Sequence, residues 1–159
     1  MKKISLFILM VILICGYLYY HYKSEEVFRC DGQLLSHIEL DNSKIETNLH
    51  GTIVFTLNNN MIFEVSGSFN QDNQQYIVNR KMFFTIKPSL LDGMNKTIIT
   101  HEVTNPLDQV PVELWRRYIL PATLGEEFYT EIVKLNKNAV LLQGFSNPLL
   151  VCVRSENQG

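Results

Sequence analysis

Four histidines, three cysteines and a scatter of carboxylates are the side chains of this chain that could do chemistry, and their spacing decides which chemistry is open to them. His37, His50 and His101 fall in separate segments. None stands at ligand spacing from another histidine or from a cysteine, so no metal site assembles and the three read as polar residues on strand faces. His21 follows an apolar run, where its ring could snorkel toward a membrane interface. "VSGSF" (65–69) is not a Gly-x-Ser-x-Gly elbow and lacks the strand-to-helix context of a serine nucleophile. Asp92-Gly93 reads as a turn, because a phosphate-binding loop needs more glycine and a following helix. Glu64, Glu102 and Glu131 fall on polar strand faces and form no recognisable acid–base pair. "NKT" (95–97) matches a glycosylation acceptor that matters only in a eukaryotic secretory route. The pattern argues against an enzyme and implies no cofactor, no catalytic residue and no metal.

Cysteine placement says more. Cys15 lies inside the apolar run and reads as an inert thiol, while Cys30 and Cys152 flank the remainder of the chain. In an oxidising compartment two such thiols favour a disulfide that closes nearly the whole domain into one loop; two unpaired buried cysteines are the alternative. Without a Cys-x-x-Cys, redox catalysis by either is disfavoured.

The compartment is set by the N-terminus. Lys2 and Lys3 precede an apolar run from Ile4 to Tyr20, about 25 Å of helix at ~1.5 Å per residue, against a hydrocarbon core of about 30 Å. Tyr17, Tyr19, Tyr20 and Tyr22 gather at its far end, where amphipathic rings favour the headgroup layer. A cleavable signal would need small residues at the exit, and the exit is "GYLYYHYKSEE" (16–26). A lipoprotein signal would need a small residue before its cysteine, but Ile14 precedes Cys15. The expected organisation is therefore a cytoplasmic stub over 1–3, an uncleaved transmembrane anchor over 4–22, a linker over 23–29 and a β domain over 30–155. Lys2 and Lys3 favour a cytoplasmic N-terminus, which puts the β domain on the far side, the periplasm of a bacterial inner membrane.

Past the linker, period-two patterning dominates. Strands are expected at 30–40, 47–60, 61–69, 76–88, 96–104, 127–136, 139–145 and 149–154. Asn58-Asn59-Asn60 marks a hairpin turn, 70–75 reads as a polar loop, and Pro111 and Pro121 bracket one short helix over 112–120, with Asp108 near its start. The fold class is all-β with one short helix: an N-terminal transmembrane helix, then an antiparallel, barrel-like (lipocalin-like) domain. Formal net charge is −2 with no basic run, which disfavours nucleic acid as a direct partner. Arg116-Arg117 reads as a solvated helix face.

The remaining signal is aromatic. Trp115, Tyr118, Phe83 and Phe84 are candidates for a partner or ligand surface, with core packing as the competing role of each. The helix puts Trp115 and Ile119 on one face and could plug a barrel mouth or offer a docking face.

The Lys-Lys start and single anchor, the cysteine in "FRCDGQL" (28–34), "LHGTIVFTL" (49–57), "DQVPVELW" (108–115) and the ending "NPLLVCVRS" (147–155) together resemble the FidL-like small membrane proteins. These sit beside the ToxS-type and VtrC-type accessory proteins of ToxR-like regulators. The resemblance implies a partner: a single-pass one-component regulator with a cytoplasmic winged-helix domain, whose periplasmic domain the accessory protein binds and stabilises. It also implies that a bile-salt-like or lipid-like ligand can be held in the barrel. Two other roles fit the residues alone, a stand-alone tethered binder of an amphipathic ligand and a structural subunit of an envelope assembly.

Overall fold

The computed structural model describes residues 10–19, 27–40, 43–56, 58–144 and 148–155. The expected stub, both ends of the expected anchor (4–9 and 20–22) and most of the linker (23–26) lie outside the described residues. Residues 10–19 form a helix, α1, with Ile12, Leu13 and Leu18 exposed. Among the described residues no helix is long and apolar enough to cross a membrane.

The rest is a meander of eight antiparallel strands, β1 (Phe28–Leu40), β2 (Ser43–Thr56), β3 (Asn60–Gln71), β4 (Gln74–Pro88), β5 (Asn95–Thr104), β6 (Glu127–Lys134), β7 (Ala139–Gln143) and β8 (Pro148–Arg154), in a closed barrel of that order. A second helix, α2 (Val112–Tyr118), lies between β5 and β6. Alternation places the core. Ile45, Thr47, Leu49 and Ile53 of β2, Val65 and Phe69 of β3, and Val78, Met82 and Phe84 of β4 are buried, and the positions that alternate with them, mostly polar, are more exposed.

Turn chemistry sets the register. Asn58 and Asn59 adopt positive φ (64° and 57°), matching the right-handed twist of a tight hairpin. The polar loop expected over 70–75 is much shorter. β3 runs on to Gln71 and β4 begins at Gln74, because Asp72 (φ 55°) takes the left-handed region and its carboxylate accepts from the Lys44 N–H (2.9 Å) and the Ser43 hydroxyl (3.2 Å). β2 likewise starts at Ser43, ahead of the expected 47, and α2 stops at Tyr118, where Ile119 caps it short of Pro121.

The closure is uneven along the barrel. At the end where β1 begins, all eight strands contribute. β8 pairs with β1 at Cys30↔Arg154 and Asp31↔Val153, and a disulfide joins Cys30 to Cys152 with their Cα atoms 5.3 Å apart. Thr104 pairs with Arg80 at the last rung of β5, so beyond that level only β1 to β4 continue. There the chain from Asn105 to Gln109 runs along the edge of β4, its N–H groups bonding the carbonyls of Asn79 (3.0 Å) and Ile77 (2.8 Å), and α2 follows it.

Candidate functional site

Arg80 occupies an inward position of β4, in phase with Val78, Met82 and Phe84, and its side chain is only 3% exposed. A guanidinium so placed needs partners. Its Nε and Nη2 donate to the two carboxylate oxygens of Asp108, each at 2.9 Å, Nη2 also reaches the Val110 carbonyl (2.6 Å), and Nη1 reaches Glu102 (3.3 Å). Asp108 further accepts the N–H groups of Asn79 (2.9 Å) and Val110 (3.1 Å). Burial pushes the Asp108 carboxyl up, but the hydrogen bonds from Arg80 and from the Asn79 N–H outweigh it, and the group titrates below its ordinary value. The guanidinium stacks over the Trp115 ring with its carbon 4.5 Å from the centroid, so one buried cation locks both the segment before α2 and α2 itself onto β4.

Asp108 does not cap the helix. Pro111 is the N-cap and makes no side-chain bond there, so the carboxylate serves the approach to α2 instead.

Beneath the plug the barrel holds a cavity of about 580 Å³, within the ordinary range for ligand pockets. Leu34, Ile53, Met61, Phe63, Phe84, Phe128 and Leu142 are among the apolar side chains that line it. The buried hydroxyls of Thr97 and Thr130 engage each other (2.6 Å) and the half-buried Ser36 hydroxyl engages that of Thr47 (2.7 Å), so the wall behaves as largely apolar. Among the described residues no buried side-chain polar atom lacks a partner. Ser36 and Ile38 of β1, Arg117 of α2 and Gln143 and Gly144 line its more exposed side. Such a chamber suits a molecule with an apolar body and a polar or anionic end near Arg117.

The residues singled out from the sequence separate. Cys30 and Cys152 form the disulfide. Trp115 is buried under Arg80, and Phe84 faces the cavity with its ring edge-on to Phe128 (centroids 6.3 Å apart). Tyr118 also lines the cavity and packs on Phe69, whereas Phe83 points outward beside His101, with ring centroids 5.7 Å apart. Arg80, Thr97 and Thr130 went unread. The available signal was Arg80 itself, a cation in phase with three apolar neighbours on one strand. Among the described residues no three His, Cys, Asp or Glu side chains cluster in a way that could hold a metal ion.

The sequence model of a family described as "FidL-like putative membrane protein" matches residues 67–152, more than half of the chain. The chain belongs to the FidL-like family. The matched span runs from Gly67 of β3 to Cys152 of β8, so it takes in Arg80, Asp108, the plug helix and one half of the disulfide. No curated protein matches the chain.

Proposed function

We propose that this FidL-like protein is a membrane-anchored accessory subunit that binds and stabilises the periplasmic domain of a ToxR-like one-component regulator. The observation that carries the reading is the incomplete wall over an apolar cavity. Beyond Asp31, among the described residues, β1 has β2 on one side and no strand paired on the other, yet its inward Leu34, Ser36 and Ile38 line the chamber. A free strand edge is a template for another chain, and a strand added there would both dock a partner and cover the chamber. A bile-salt-like or lipid-like molecule in the cavity would then contact both proteins. In this reading the apolar run 4–22 is a single inner-membrane span with the N-terminus in the cytoplasm. The regulator, in this reading, carries the signal inward. Binding only the folded regulator at about 100 times Kd would stabilise it by roughly 2.7 kcal/mol, and sharing one membrane raises the effective concentration further.

The test is co-purification from membranes with a C-terminal tag. Recovery of a single-pass winged-helix regulator, retained when the anchor is exchanged and lost when the β domain is deleted, supports the reading. Unchanged regulator abundance after deletion of this protein would sink it. A second reading, a stand-alone tethered binder, draws on the chain closing its own barrel at the β1–β8 seam. Ligand binding by the full chain with no regulator recovered would favour that one.

A further inference from the structure

The end of the barrel where β1 begins carries a second surface. Register aligns Phe28, Phe55, Met61 and Phe84 at one level across β1 to β4. From that level β4 continues another four residues to Pro88, so the β4–β5 hairpin runs on roughly 13 Å along its own strand, at ~3.3 Å per residue, beyond the rung that Phe28 shares. Its tip is ordered: the Leu91 N–H bonds the Ser89 hydroxyl (3.1 Å), the Met94 N–H bonds the Leu91 carbonyl (3.1 Å), and Gly93 (φ 74°) leans toward Glu131. On this fixed tip Leu90 is fully exposed, at 105%, and Leu91 is 45% exposed. The β6–β7 turn at the same end exposes Leu135, 51%.

A single exposed leucine needs no explanation, but three on adjacent hairpin tips ringed by lysines do. Lys87 and Lys96 face each other at the neck of the first hairpin, and Lys134 and Lys137 flank the second; Asp92, Glu127 and Glu131 are the acids among them, Glu127 being paired with Lys96 at 3.1 Å and Glu131 lying beside Gly93. The opposite end has a different character. It too exposes apolar side chains, Leu107, Val112 and Ile77, but its β3–β4 turn is Asp72-Asn73 and no lysine stands within two residues of any of the three.

We infer that this end is a lipid-contact face: Leu90, Leu91 and Leu135 enter the interfacial layer of the bilayer that holds the anchor, with the lysines on anionic headgroups. The inference rests on the anchored reading above. Chain length carries it, since the eight steps from Tyr19 to Val27 reach no more than about 29 Å even fully extended. The entry end, with the hairpin projecting from it, is thus confined beside the membrane, at an effective concentration that makes weak insertion sufficient. Leucine with interspersed lysine is the composition that interfacial elements use.

The test uses the full chain with Cys15→Ser and the disulfide intact, reconstituted in vesicles of phosphatidylcholine and phosphatidylglycerol. An environment-sensitive fluorophore is placed at one position at a time, Asp92→Cys on the tip, Asn73→Cys at the opposite end or Leu18→Cys in the apolar run, and quenching by brominated lipid is measured. Strong quenching at 18 and 92 with little at 73 is expected. The pair Leu90→Asp and Leu91→Asp should reduce quenching at 92 severalfold and leave 18 unchanged. Quenching at 18 with none at 92, or equal quenching at 92 and 73, overturns the lipid-contact face and leaves the anchor standing. Absence of quenching at 18 overturns the anchor and this inference together.

Discussion

The two ends of this barrel are closed by different physics. At the entry end, eight strands meet and a covalent bond pins the seam between β1 and β8. At the plug end four strands continue, and the opening is stopped by a helix held through the Arg80–Asp108 pair. A disulfide acts largely by restricting the unfolded chain and is indifferent to mild changes of pH. A buried ion pair acts in the folded state, depends on charge, and is strongly destabilising when only one partner is removed. The contrast teaches that the end where β1 begins is closed covalently, while the end beside the unpaired edge of β1 is the one that charge can loosen.

The largest effect should come from the seam. Cys30→Ser with Cys152→Ser should cost up to about 5 kcal/mol for a loop of this length, read as a lower urea midpoint than that of the oxidised protein. If the midpoint stayed put, the entry end would owe its closure to the hydrogen-bond ladder alone. Next is Arg80→Met, which strands the Asp108 carboxylate inside the protein and should cost about 3–5 kcal/mol. Adding Asp108→Leu should recover much of that loss, and Trp115, the chain's one tryptophan, reports release of the plug by fluorescence. Equal losses in the single and double variants would remove the ion pair from the comparison.

Gly67→Ala probes the wall between the ends. Gly67 has φ 146°, and an added Cβ would meet the Asn48 carbonyl oxygen at 2.2 Å, so about 1–3 kcal/mol should be lost in thermal unfolding. Thr97→Val alone leaves the Thr130 hydroxyl without its partner and should cost about 1–2 kcal/mol, whereas the double change to valine should be close to neutral. A double variant as unstable as the single one would mean that the hydroxyls serve more than each other.

Acid sharpens the contrast most gently. Asp108 titrates below its ordinary value in the folded protein, so its contribution is present above the unfolded carboxyl range and fades as pH falls through the folded pKa. Asp31 at the seam is also lowered, first by the Ser155 hydroxyl and then by that of Thr52, and its contribution has the same sign. Urea midpoints of the wild type should therefore decline with acid. Arg80→Met/Asp108→Leu should show a shallower decline, and loss of Trp115 packing should precede loss of the sheet. A decline of the same steepness in both proteins would place the acid sensitivity elsewhere.

Much of this was legible beforehand because period-two patterning and turn residues are local. Alternation over 47–60 and 61–69 marked β2 and β3, Asn58-Asn59 marked their turn, and Cys30 with Cys152 marked the seam. The 70–75 loop was misjudged because one left-handed aspartate needs only a two-residue turn and borrows its partners from β2. The candidate site was less legible. Trp115 and Phe84 stood out by size, but aromatic size does not tell a plug from a docking face.

Alternating hydrophobicity, turn chemistry and two distant cysteines determined by themselves that the chain after the apolar run is a β meander with its ends joined. Only the tertiary structure decided that β5 stops at the level of Arg80, that Asp108 reaches that guanidinium across 28 residues, and that a chamber of about 580 Å³ is left beneath the plug. The reason is range. Local patterns report which face of a strand is apolar, whereas volume left empty and charges buried together depend on how distant segments meet.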